Sequence, residues 1–329
     1  MIRRSKQSLK LRELAKYQVF EAMTYKGIFP ATITPMNEDF SIDFESFKNY
    51  LSWLKNQDVS GFAINVDTGE GPSLTSEERM SLLKATKELS GDSSDLKLIA
   101  GIIGGSTENA VKEAKNAVSC GADAFLIFPN ATFRGEPQDT ALIYKYHEAI
   151  ATETNKDIIV FNLQNDLGGC LYTHNTLKKL IMIPQVKAIK EASFDVSIFK
   201  SIYEFLDKQE KKISFLTGND NFILESFLLG ADGGLLGACA QFTKLQVDCF
   251  NHVKNGNFNR AIELSKLFQP LVDIIFMPPV RNYRARTKYS LKLQGIIPNH
   301  AVRPPLLEIN DDEKNIIKNA LKYSGIIKN

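Results

Sequence analysis

Residues 186–193 read Val186-Lys187-Ala188-Ile189-Lys190-Glu191-Ala192-Ser193, an apolar, β-compatible run that ends on a lysine and passes into small residues. A lysine held in an apolar pocket at the end of a buried strand resists protonation, so its pKa falls and its amine becomes a nucleophile toward carbonyl carbon. Lys190 is therefore a candidate Schiff-base residue. On this stretch alone, a strand-end lysine whose ammonium reaches solvent reads equally well. The neighbouring segments bear on that choice.

On both sides of this run, short apolar stretches alternate with longer amphipathic ones, the pattern of repeated βα units. The expected strands are Gly27–Thr34, Gly61–Val66, Leu98–Ile103, Ala124–Pro129, Ile158–Asn162, Val186–Glu191, Ile213–Gly218 and Gly233–Ala238. About eight strands is the number that closes a (β/α)8 TIM barrel; a doubly wound sheet of six or seven is the alternative. Helices are expected between the strands, three of them opened by cap residues: Asp43, Thr75 with Glu78 as a capping box, and Ser106. Beyond the eighth unit, Asn259–Phe276, Arg284–Gln294 and Asp311–Tyr323 read as a helical appendage. The expected organisation is a basic N-terminal extension over 1–26, a barrel over 27–256 and a C-terminal helical extension over 257–329.

The 43% of hydrophobic residues can build a sizeable core, and 40 Lys+Arg against 38 Asp+Glu argue for neither a nucleic-acid nor a membrane partner. Basic residues concentrate at the start (Arg3, Arg4, Lys6, Lys10, Arg12, Lys16, Lys26). No run approaches the ~20 apolar residues of a membrane span, so a cytoplasmic protein is the default expectation. Cys120, Cys170, Cys239 and Cys249 are scattered, and His147, His174, His252 and His300 stand at no ligand spacing to them. Neither a metal site nor a disulfide framework is expected, and no cofactor is implied.

In such a barrel, chemistry gathers where strands end at the carboxyl side. There the chain places Thr34-Pro35, Asp67-Thr68-Gly69-Glu70-Gly71, Gly104-Gly105-Ser106-Thr107, Phe161-Asn162, Lys190 and Gly218-Asn219-Asp220-Asn221. Each glycine-rich piece is also an ordinary strand-to-helix turn; a lysine in their midst favours a shared site. Taken in order, GIFPATITP (27–35), VDTGEGPSLTSEER (66–79), AGIIGGST (100–107), GADAFLIFP (121–129), VKAIKEAS (186–193), LTGND (216–220) and LLGADGGLLG (228–237) resemble the dihydrodipicolinate synthase/N-acetylneuraminate lyase family over roughly Tyr25 to Gly295. The resemblance implies a (β/α)8 barrel, usually a homotetramer, and a lyase whose lysine forms an imine with pyruvate or a related 2-oxo acid. It makes Lys190 the Schiff-base lysine, Thr68 and Gly69 binders of the oxo-acid carboxylate, and Gly218 the glycine of the turn after strand seven. Thr34, Phe161 and Asn162 complete the expected substrate-binding set, and Glu70 is expected to anchor its loop.

Departures from the family pattern carry as much information. Where the family usually has Tyr-Asn at the end of strand five, this chain has Phe161-Asn162, and a phenyl ring cannot move a proton. The first threonine of the family's GTTGE loop is Asp67, here the candidate replacement acid/base, with a helix-cap or turn aspartate as the alternative. No counterpart exists in Leu163–Gly169 for the arginine with which true dihydrodipicolinate synthases grip their second substrate; Arg134, Arg281, Arg284 and Arg286 are candidates to hold a distal carboxylate or phosphate, though each taken alone reads better as a solvated or interface residue. The expected function is a class I aldolase or dehydratase acting on a small 2-oxo acid but not a true dihydrodipicolinate synthase. The alternatives are a catalytically silent member that binds an oxo acid or regulates, and a phosphate-binding barrel using Gly218–Asn221 and Gly237.

Overall fold

The computed structural model describes residues 25–91 and 95–328; expectations for the basic segment before Tyr25 lie outside them. Eight strands are present: β1 Gly27–Pro30, β2 Gly61–Ile64, β3 Lys97–Ile102, β4 Ala124–Ile127, β5 Asp157–Leu163, β6 Val186–Ala192, β7 Ser214–Thr217 and β8 Gly233–Leu236. Their order is β1-β8-β7-β6-β5-β4-β3-β2, with every ladder parallel. The ring closes between β1 and β2 through the bridge Ala31–Ala63, with Ser60 N donating to Ile28 O (2.8 Å) and Thr32 N to Ala63 O (3.1 Å). Closure decides for the TIM barrel over the doubly wound sheet, which would leave two free edges.

The helices that follow the strands are α1 Phe44–Lys55, α2 Ser76–Ser90, α3 Thr107–Ser119, α4 Thr140–Thr154, α5 His174–Ile181, α6 Val196–Asp207, α7 Ile223–Leu228 and α8 Thr243–Lys254. Asp43, Thr75 with Glu78, and Ser106 cap α1, α2 and α3 as expected. α9 Phe258–Ile275, α10 Tyr283–Leu293 and α11 Asp311–Tyr323 form the C-terminal extension. Among the described residues no helix is long and apolar enough to cross a membrane.

Two expectations change. β1, β2, β4 and β8 end at Pro30, Ile64, Ile127 and Leu236, short of Thr34, Val66, Pro129 and Ala238, because the chain leaves the ladder to build the barrel mouth. Asn65 turns left-handed (φ 60°), Asp67–Gly69 form a 3-10 turn, and the Thr34 hydroxyl donates across to Gly69 O (2.8 Å). Tyr25, assigned to the extension, belongs to the barrel. It is buried, its N–H donates to Ser214 Oγ (3.0 Å), and its hydroxyl donates to Asp157 Oδ2 (3.0 Å).

Side chains divide by strand alternation. Ile28, Ile64, Ala100, Ile127, Val160, Ile189 and Phe215 face the helices, whereas Phe29, Ile99, Leu126, Ile159, Phe161, Ala188, Leu216 and Leu235 fill the barrel interior. β6 breaks this period once. Val186 packs outward, yet Ala188 packs inward, because the pairing with β5 goes from Ile158–Val186 to Ile159–Ala188 and steps over Lys187. Strict alternation from Val186 would send Ala188, Lys190 and Ala192 outward. The β-bulge flips them inward, the re-aiming that bulges perform beside functional sites.

Candidate active site

Lys190 sits in the barrel interior, paired in register with Phe161 of β5 and Leu216 of β7, and it is only 7% exposed. Burial drives its pKa down from the ordinary lysine value; the negative charges of Asp220 and Asp67 oppose that without cancelling it. Its ammonium lies 4.2 Å from the centroid of the Phe161 ring, which meets Phe128 edge-on at 5.2 Å. At Gly218 the chain crosses so close that an added Cβ would stand 2.5 Å from Lys190 Cε. A side chain there would displace the lysine.

Lys190 opens into a cavity of about 30 Å³ lined by Asp67, Thr68, Phe161, Gly218, Asp220 and Tyr283 together with apolar side chains. One water-sized group needs ~10–15 Å³, so the space suits a short ligand. Its roof is aromatic: Phe276 stacks on Tyr283 (4.7 Å, 17°) and tilts against Phe194 (6.3 Å). Among the described residues no group of three His, Cys, Asp or Glu side chains is placed to hold a metal ion.

Of the eight residues singled out from the sequence, the cavity unites Lys190, Asp67, Thr68, Phe161 and Gly218. Three are placed elsewhere. Asn162 projects from the opposite face of β5, where Nδ2 donates to Glu191 Oε1 (3.3 Å) and Oδ1 accepts from Tyr172 N (2.7 Å). With Asn219 it holds Glu191, a buried carboxyl whose pKa is raised by desolvation. Thr34 spends its hydroxyl on Gly69 O, and Gly69 spends its N–H on Val66 O (3.1 Å). Both shape the loop instead of lining the cavity.

The arginines are similarly engaged. Arg284 pairs with Asp67 through Nη2 and donates from Nε to the Asp67 carbonyl (2.8 Å). The fully buried Arg286 binds Glu313 and the carbonyls of Ile275 and Met277. Arg134 is exposed and donates to Gly169 O (3.0 Å), and Arg281 is exposed outside the cavity. Glu70 anchors its loop, as expected. It adopts a left-handed backbone (φ 57°), pairs with buried Lys288 of α10 at 2.5 Å, and accepts from Arg303 N (2.8 Å).

Two polar cavity residues were given no role of their own from the sequence. Asp220 is buried beside Lys190. Desolvation raises its pKa, against a hydrogen bond from Ala238 N (2.8 Å) and the lysine's charge. Its strand-end segment after β7 had been picked out, and its place two residues beyond Gly218 was a usable signal. Tyr283 had none: it comes from the appendage and meets Asp67 across 216 residues of sequence. Its hydroxyl donates to Asp67 Oδ2 (2.7 Å) and lies 3.2 Å from Thr68 Oγ1.

The model of the dihydrodipicolinate synthetase family matches residues 24–324. The 4-hydroxy-tetrahydrodipicolinate synthase of Thermosipho africanus is 29% identical over 306 residues, covering 92% of this chain and 100% of that protein. That of Archaeoglobus fulgidus is 28% identical over 303 residues, covering 92% and 99%. Among solved structures, the chloride-inhibited dihydrodipicolinate synthase from Acinetobacter baumannii complexed with pyruvate superposes with a TM-score of 0.81 at 26% identity, over 92% of this chain and all of that one. The dihydrodipicolinate synthase of Thermotoga maritima, at 23% identity and a TM-score of 0.83, shares the fold over 92% of this chain and 99% of its own. With the family model spanning the barrel and its C-terminal helices, this chain belongs to the dihydrodipicolinate synthetase family.

Proposed function

We propose that this protein is a class I lyase, an aldolase or a dehydratase, that forms an imine between Lys190 and pyruvate or a related 2-oxo acid. The observation that carries the reading is a single buried lysine whose pKa is lowered by desolvation at the wall of a small cavity inside the barrel mouth. A neutral amine attacks a carbonyl, whereas an ammonium does not. Asp220, whose carboxyl is pushed toward the protonated form by burial, is suited to exchange the proton that Lys190 must lose. Thr68 offers a hydroxyl to the oxo acid. Borohydride reduction in the presence of a panel of short 2-oxo acids, followed by mass mapping, tests the reading. A stable adduct on Lys190 supports it, and an unmodified protein or an adduct on another lysine overturns it.

Asp67 is the proposed acid/base. Asp67→Asn keeps size and most hydrogen bonding while removing the titratable group. It should preserve trapping and depress turnover by ~10²–10⁴-fold. Turnover unchanged from wild type would give Asp67 a structural role only.

The second substrate is proposed to be uncharged. Past Lys190 the lining is Leu163, Leu167, Phe194 and Phe276, and the arginines near it are bound to protein groups. A free carboxylate on that substrate would meet apolar side chains there, and a carboxylate taken out of water without a partner of opposite charge is penalised. Condensation of pyruvate with aspartate semialdehyde is accordingly expected to be far slower than with an uncharged aldehyde. Pyruvate consumption with each acceptor measures this, and an ordinary enzymatic rate with the semialdehyde would contradict it. A second reading, an oxo-acid binder without turnover, draws on Phe161, which cannot relay protons; trapping without turnover on any acceptor would favour it.

A further inference from the structure

An imine becomes reactive at C3 only when a proton leaves that carbon, and burial keeps water from serving freely as the acceptor. The cavity offers a connected set of exchangeable groups away from Lys190. Tyr283 donates its one hydrogen to Asp67 (2.7 Å), so in the 3.2 Å contact it is Thr68 that donates to the phenolic oxygen. Arg284 fixes the far end by pairing with the Asp67 carboxylate. The stack of Tyr283 on Phe276 holds the ring, and Phe276 is the side chain that the missing Cβ of Gly237 leaves room for, 2.9 Å from where it would lie.

We propose that Tyr283, delivered by α10 of the C-terminal extension, is the group that takes the proton from C3 of the imine and passes its own to Asp67, supplying the hydroxyl that Phe161 lacks. The inference rests on the Lys190 imine proposed above. In the step, the C3–H bond breaks and its electron pair forms the C2=C3 bond, while the iminium nitrogen takes back the C=N pair. The proton reaches the phenolic oxygen as the phenolic proton reaches the Asp67 carboxylate. Iminium and carboxylate become enamine and carboxylic acid, and Tyr283 stays neutral throughout. Burial and the neighbouring Asp67 charge, which raise the phenol's pKa, suit it to pass a proton without ionising.

The experiment follows C3–H/D exchange of pyruvate in D2O by proton NMR, with borohydride trapping measured on the same samples. Wild type is expected to exchange. Tyr283→Phe, which removes one oxygen and keeps the stacked ring, is expected to exchange ~10²–10⁴-fold more slowly while trapping on Lys190 continues. Asp67→Asn should show a comparable loss, and the double variant should be little worse than either single one, as for groups acting as a unit. Exchange at the wild-type rate in Tyr283→Phe, or trapping lost together with exchange, overturns the proposal. So does a wild-type protein that is trapped but does not exchange. Absence of wild-type trapping refutes the imine reading and takes this inference with it.

Discussion

Lys190→Ala is expected to abolish borohydride-dependent labelling by every 2-oxo acid that labels the wild type and to lower turnover by roughly 10⁶-fold, the order seen when a covalent nucleophile is removed. Among the described residues no other lysine lines the cavity, so none of them is placed to substitute. On the proposed imine mechanism the nucleophile is the free amine, and burial lowers the Lys190 pKa. The rate of imine formation should therefore rise with pH along a limb below the ordinary lysine range and level off above it. The sign follows from desolvation, which penalises the ammonium, outweighing the two carboxylates, which favour it. Trapping rates measured across pH check this. A limb at or above the lysine range, or residual labelling in Lys190→Ala, would contradict the assignment.

Glu70→Gln is expected to cost about 3–5 kcal/mol of stability, the range for breaking a buried ion pair. Glu70 and Lys288 are both fully buried and lie 2.5 Å apart, joining the β2 loop to α10. Lys288 also donates to Ala301 O (2.8 Å), and Glu70 accepts from Arg303 N (2.8 Å). Glutamine retains the shape but leaves the lysine charge uncompensated in a dry site, where desolvation already lowers its pKa. Combining Glu70→Gln with Lys288→Met should recover much of the loss, because the orphaned charge is then gone. Equilibrium denaturation of the three variants measures it. A Glu70→Gln loss below about 1 kcal/mol would show that the pair contributes little. The same contact positions Tyr283 five residues upstream of Lys288, so the stability of the extension and the chemistry of the cavity share an element.

The sequence by itself determined the order and type of the elements, because their signals are local. Apolar strand runs, the Thr75–Glu78 capping box and the Asp43 and Ser106 caps act within a few residues. The ordered motifs likewise placed Lys190, Asp67, Thr68, Phe161 and Gly218 at the mouth, since a parallel barrel brings all its strand ends to one side. Which way those side chains point was beyond a period-2 reading. The bulge that steps over Lys187 turns Lys190 inward, against the alternation that Val186 would set. Nor could any local pattern show that Arg284 would neutralise Asp67 or that Tyr283 would reach the cavity, since these contacts join residues more than two hundred positions apart. Only closing the barrel and docking α10 against the β2 loop brings them together, because hydrogen bonds and ion pairs act over a few ångströms of space whatever the distance along the chain.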